Sequence, residues 1–152
     1  MHALTISKQI IYECNKNKIE ITQLKLQKLL YFTEAYYMNM ENKDELFEEK
    51  FYAWEYGPVC KEVYNEYKNY FSLPIIVDEQ NLEKIDEKVL FAVKAVCEVF
   101  GKRNTSDLIK LTHLQNSPWF EANHNKKVPI SKLETKKWFK ELFLAKWQVI
   151  KK

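Results

Sequence analysis

Leu24-Lys25-Leu26-Gln27-Lys28-Leu29-Leu30-Tyr31-Phe32 carries a helical repeat. Leu26, Leu29, Leu30, Thr33 and Tyr37 fall at i, i+3, i+4, i+7 and i+11, which predicts a helix with one buried face. Thr22 stands where an N-cap belongs. Lys25 and Lys28 fall off the apolar stripe, and lysines in the first turns oppose the helix dipole. They read either as tolerated surface lysines or as residues kept there for a partner.

Working outward, Ile6, Ile10 and Cys14 place a first helix over residues 5–15, broken by Asn15-Lys16-Asn17-Lys18. After a turn at Glu41-Asn42-Lys43-Asp44 the helical period is lost. Phe51 and Ala53 then alternate with Tyr52 and Trp54, which predicts a short strand. Gly57-Pro58 reads as a helix start, with Val59, Val63 and Tyr67 carrying a third helix to about Tyr70. Leu73-Pro74-Ile75-Ile76-Val77 is extended and is expected to pair with the strand near Phe51. A fourth helix carries Ile85, Val89, Val93, Val96, Cys97 and Phe100, with Gly101 as a left-handed stop. Thr105 or Ser106 caps a short helix with Leu108 and Leu111 inward. Ser117-Pro118 opens another turn, and Val128-Pro129-Ile130 is extended. Ser131 and Glu134 form a capping box for a last helix with Trp138, Phe139, Leu142, Phe143 and Ile150 on its apolar face. The expected fold is mostly α: one compact helical domain over residues 1–152, with two or three short β-strands.

A chain of 152 residues can bury a core without a disulfide or a metal. Its 24 basic and 21 acidic residues are too balanced to imply nucleic acid. Lys126-Lys127, Lys136-Lys137 and Lys151-Lys152 read as solvated faces or as contacts for an acidic partner. Cys14, Cys60 and Cys97 are odd in number and widely spaced, which argues for reduced, buried thiols. No basic start with an apolar run marks a signal peptide, and no stretch reaches the about 20 apolar residues of a membrane span. The expectation is a cytoplasmic protein.

There is no phosphate-binding loop, dinucleotide fingerprint or nucleophile elbow. His2, His113 and His124 lack metal-ligand spacing, so neither metal nor cofactor is expected. Thr112-His113 and Ser117-Pro118-Trp119 invite a small polar cluster. In it His113 bonds backbone at a helix end and orients the Ser-Pro-Trp turn. A Cys60–His113 nucleophilic pair is the enzymatic alternative, with Cys60 in a helix first turn that would acidify its thiol. No third residue supports it. Trp54 is a core anchor or a partner hot spot. Tyr12, Tyr31, Tyr36, Tyr37, Tyr52, Tyr64 and Tyr67 are open to the same two readings.

Three ordered segments, taken together, resemble the Panacea, or SocA-like, antitoxin domain, a family also known as phage-associated proteins. The first is Thr22-x-Leu24-Lys25-Leu26-Gln27-Lys28-Leu29-Leu30-Tyr31-Phe32. The second is Leu46-Phe47, Phe51-x-Ala53-Trp54-x-Tyr56-Gly57-Pro58-Val59 and Val63-Tyr64. The third is Leu108-x-x-Leu111-Thr112-His113 with Ser117-Pro118-Trp119. The resemblance spans nearly the whole chain; Cys60 departs from it, where a turn-forming or apolar residue is more usual. It implies a non-enzymatic antitoxin that neutralises a toxin encoded beside it by direct binding. Alternatives are an adaptor delivering the toxin to the ClpXP protease, and a phage or mobile-element protein inhibiting a host system. No appended DNA-binding domain is expected. Gln27, Gly57, Pro58, Thr112, His113, Ser117, Pro118 and Trp119 are expected to be structural signature positions. Lys25, Lys28 and Tyr31 on the exposed part of the second helix, with Trp54 and Tyr64, are expected to face the partner.

Overall fold

The computed structural model describes residues 1–144. Helix α1 (Ala3–Lys16) buries Ile6, Ile10 and Cys14, the predicted stripe. It ends where Lys18 turns through a positive φ of 59° and Ile19 N bonds back to the Cys14 carbonyl at 2.8 Å. Helix α2 (Gln23–Met40) starts on the Thr22 cap, whose hydroxyl accepts from Lys25 N. α2 is the axis of the molecule. Its buried residues lie on every side, because α1, α4, α5, α7 and β2 all pack against it. A helix enclosed all round offers no solvent face. Lys25, Lys28 and Tyr31, expected to be exposed, are therefore buried: 8%, 0% and 2% accessible.

Strands β1 (Phe51–Trp54) and β2 (Gly57–Cys60) pair antiparallel, Phe51 opposite Cys60 and Trp54 opposite Gly57. Gly57-Pro58 is thus the start of a strand and not of a helix. Gly57 takes φ +113°, the turn the hairpin needs, and helix α3 (Lys61–Tyr67) begins only after Cys60. A 3-10 turn over Lys68–Tyr70 extends α3 to the expected end. Leu73–Val77 does not join β1. Ile75 N bonds the Ile21 carbonyl at 2.8 Å, and the Asn15 side chain clasps Ile75 O and Val77 N at 3.0 Å each. The segment that reaches β1 is the other extended one, through Ile130 N to Phe51 O at 2.7 Å.

Helix α4 (Glu87–Phe100) is capped by Asp86 and buries Val89, Val93, Val96, Cys97 and Phe100, while Ile85 lies outside it. Gly101 keeps a right-handed φ of −60°, not the left-handed stop expected. The cap of α5 (Thr105–Thr112) is Asn104, whose Oδ1 accepts from Asp107 N at 2.9 Å. α6 (Pro118–Ala122) opens at the expected Ser117-Pro118 turn, with Ser117 as its cap, and α7 (Lys132–Phe139) starts on the predicted Ser131 cap. A π-helical turn, Lys140–Leu144, follows α7, and Ile150 lies outside the described residues. Phe32 of α2 gathers Phe100, Phe139 and Phe143 at ring distances of 4.7, 6.1 and 5.8 Å. Glu34 anchors the loop before β1, accepting from Leu46 N, Phe47 N and Lys132 Nζ. Among the described residues no helix is long and apolar enough to cross a membrane.

Candidate partner-binding site

The three sequence signatures converge on the β1–β2 hairpin. A two-stranded ribbon leaves backbone groups unpaired along both outer edges. Here several are taken up, one by the backbone of Ile130 and the others by side chains. Gln27 takes the Cys60 N–H on Oε1 at 2.8 Å and gives Nε2–H to the Cys60 carbonyl at 3.1 Å. Lys28 Nζ donates to the Pro58 carbonyl at 3.3 Å. On the other edge Trp119 Nε1 donates to the Trp54 carbonyl at 2.7 Å. Trp119 is delivered by the α5–α6 turn, where Ser117 Oγ donates to Thr112 O at 2.7 Å and accepts from Phe120 N at 3.1 Å. His113 stacks flat on Trp119, ring centres 3.7 Å apart and planes 15° off parallel. Its contact with the Ser-Pro-Trp turn is this stack, and its Nε2 is buried and makes no hydrogen bond among the described residues.

Lys28 sits at the middle of this arrangement. A methyl group on Gly57 would lie 2.5 Å from Lys28 Cε and 2.9 Å from Thr112 Oγ1, so the hairpin turn rests directly on both side chains. Only glycine gives that approach together with the positive φ. Burial pushes the Lys28 ammonium down to about 7. His113 is also pushed down, by burial first and by Lys28 second. Lys25 meets a different need: its Nζ donates to Gly101 O at 2.7 Å, closing the C-terminus of α4. The Tyr31 hydroxyl shares a 2.8 Å hydrogen bond with Thr135 Oγ1, its ring meets Phe51 in a T-shaped pair, and burial pushes the phenol up. None of these three can face a partner.

The two remaining candidates are brought together. Trp54 and Tyr64 meet edge to face at 4.9 Å, both half-buried. They line a groove of about 500 Å³ with Leu24, Tyr56, Val59 and Phe71. Tyr56, at the hairpin tip, is 56% exposed, and Phe71 is 74% exposed. Phe71 sits at φ 53°, ψ −117°, costly for a bulky side chain, with its carbonyl accepting from Gln23 Nε2 at 3.4 Å. Sequence reasoning missed both residues. The aromatic pair Tyr70-Phe71 in a polar stretch was the available signal; the backbone strain left no trace in the sequence.

Cys60 and His113 keep separate company. The Cys60 thiol lies 3.8 Å from Glu62 Oε1, and burial pushes it up to about 12. This reverses the acidification expected of a helix first turn, because Cys60 ends a buried strand.

The family model described as antitoxin SocA-like, Panacea domain, matches residues 26–120. The chain belongs to the SocA-like Panacea family. The match opens in the first turns of α2 and closes inside α6. The part of this Panacea domain that it covers therefore includes the hairpin, Gln27, Lys28 and Trp119. No curated protein and no solved structure matches the chain.

Proposed function

We propose that this protein is the antitoxin of a toxin–antitoxin pair and neutralises a cognate toxin, encoded nearby, by direct binding in the cytoplasm. Membership of the SocA-like antitoxin family carries the reading. The aromatic groove supports direct binding: Trp54 and Tyr56 of the hairpin, Tyr64 of α3 and Phe71 after the 3-10 turn are residue types that anchor interfaces. The raised Cys60 thiol and the stacked His113 favour a binder over a nucleophilic enzyme.

The neighbouring open reading frame is expressed alone and together with this chain. Killing alone and rescue in combination is the expected result, with both proteins recovered in one complex after purification. In the same assay Trp54→Ala and Tyr56→Ala should each weaken the complex by about 2 kcal/mol, roughly thirtyfold, with the fold retained by circular dichroism. A harmless neighbour would overturn the pairing. Rescue that needs the ClpXP protease would replace neutralisation by binding with delivery for degradation.

A further inference from the structure

The aromatic groove carries a charge, and it is negative. Although the chain has 24 basic residues, Glu55 is the charged residue in the lining, and no lysine or arginine joins it among the described residues. Two of the polar side chains there are committed to the fold: Gln27 holds Cys60, and Gln23 Nε2 donates to the Phe71 carbonyl. What faces outward is ring surface beside one carboxylate. Trp54 and Tyr64, with planes 70° apart and centres 4.9 Å apart, form two walls of a corner. Tyr56 and Phe71 are exposed beside it, and Glu55, also exposed, precedes Tyr56 at the hairpin tip.

The adjoining ring shows what such a surface takes. Tyr52 and Trp54 are two residues apart on β1 and so share one face of the ribbon. Lys61 Nζ lies over the Tyr52 ring, 3.9 Å from its centre. The negative face of an aromatic ring attracts a cation. Tyr52 is thus supplied from within the chain, whereas the groove around Trp54 is lined by rings and a carboxylate with no cation of the chain among them.

We propose that, on the antitoxin reading, the toxin seats an arginine side chain in this groove. Its guanidinium stacks against the Trp54–Tyr64 corner and donates to the Glu55 carboxylate, while its aliphatic stem lies along the exposed rings. Arginine fits this lining better than lysine does. A planar guanidinium stacks on a ring, its fork can give two N–H groups to one carboxylate, and it is less strongly hydrated than an ammonium. Arginine is also among the residue types that dominate interface energetics. An acidic side chain meets Glu55 and the ring faces as like charge.

The test needs no toxin, so it can fail while the antitoxin reading stands, and a harmless neighbouring gene leaves its outcome untouched. The probe is leucyl-arginyl-leucine, acetylated and amidated, titrated into the isotope-labelled full chain and followed by nuclear magnetic resonance. The expected result is saturable movement of the Trp54 indole N–H and of the Tyr56 and Phe71 amides. Citrulline, the neutral isostere, removes both attractions and should weaken binding about tenfold. Glu55→Gln removes only the ion pair and should weaken binding about threefold, with the circular-dichroism spectrum unchanged. Equal affinity for the citrulline peptide would overturn the proposal in favour of an apolar occupant. Equal affinity for the lysine peptide would overturn it in favour of any cation. No movement at about 10 mM peptide would also overturn it. So would movement of the same signals with protein concentration alone, which would give the groove to a second copy of the chain.

Discussion

Lys28 shows how much one residue can hide. Its place in the sequence signalled a conflict, a lysine in the first turns of a helix, and that anomaly was legible. Its resolution was not, because periodicity marks a stripe but cannot tell that neighbours wrap the helix all round. The buried ammonium has a consequence that can be measured. Folded Lys28 titrates near 7 and the unfolded side chain at its ordinary 10.5. Between those values the unfolded state binds the extra proton, so stability climbs with pH across that window. Below about 7 both states are protonated and the penalty is complete. The gap corresponds to on the order of 5 kcal/mol. Lys28→Met should therefore be more stable than the parent at pH 6, and the advantage should close as pH approaches 10. Urea unfolding at several pH values reads this directly; a pH-independent difference would mean that Lys28 is not buried as described.

At the scale of elements, the helices were largely legible because their caps and stripes are local. Thr22 and Ser131 cap where expected, and the α5 cap falls one residue early, at Asn104. The misreadings fell where partners are distant in the chain. Gly57-Pro58 satisfies the rule for a helix start, yet the positive φ of Gly57 closes a hairpin whose edge bonds come from α2 and α6. Leu73–Val77 has strand composition, but an asparagine side chain from α1 takes its backbone groups first. Gln27 illustrates the dependence. Gln27→Leu keeps the volume and strips both bonds to Cys60, leaving a buried N–H and a buried carbonyl unpaired. The expected cost is about 3 kcal/mol, seen as a lower urea midpoint with the helical circular-dichroism signal intact before the transition. A loss below about 0.5 kcal/mol would mean that water reaches the ribbon edge.

For the whole molecule, the candidate site was half legible. Trp54 and Tyr64 stood out as aromatic anchors and do meet, whereas the chosen face of α2 is interior. The other half of the groove, Tyr56 and Phe71, comes from a hairpin tip and a loop whose aromatic pair Tyr70-Phe71 was visible but whose strained backbone was not. Strain and exposure at Phe71 set stability and binding against each other. Phe71→Gly relieves an unfavourable backbone, so the midpoint of thermal unfolding should rise, by about 1 kcal/mol in stability. Affinity for the partner should fall in the same variant, by about 2 kcal/mol. Calorimetry for one and titration for the other would show the two moving in opposite directions; a fall in both would make Phe71 a packing residue. The hairpin carries a longer-term consequence. Its backbone is clamped by Gln27, Lys28 and Trp119, while Glu55 and Tyr56 at its tip are exposed. Such a tip can change letter by letter without disturbing how the chain folds. On the proposed reading, partner choice can drift at the tip while the clamp is inherited unchanged.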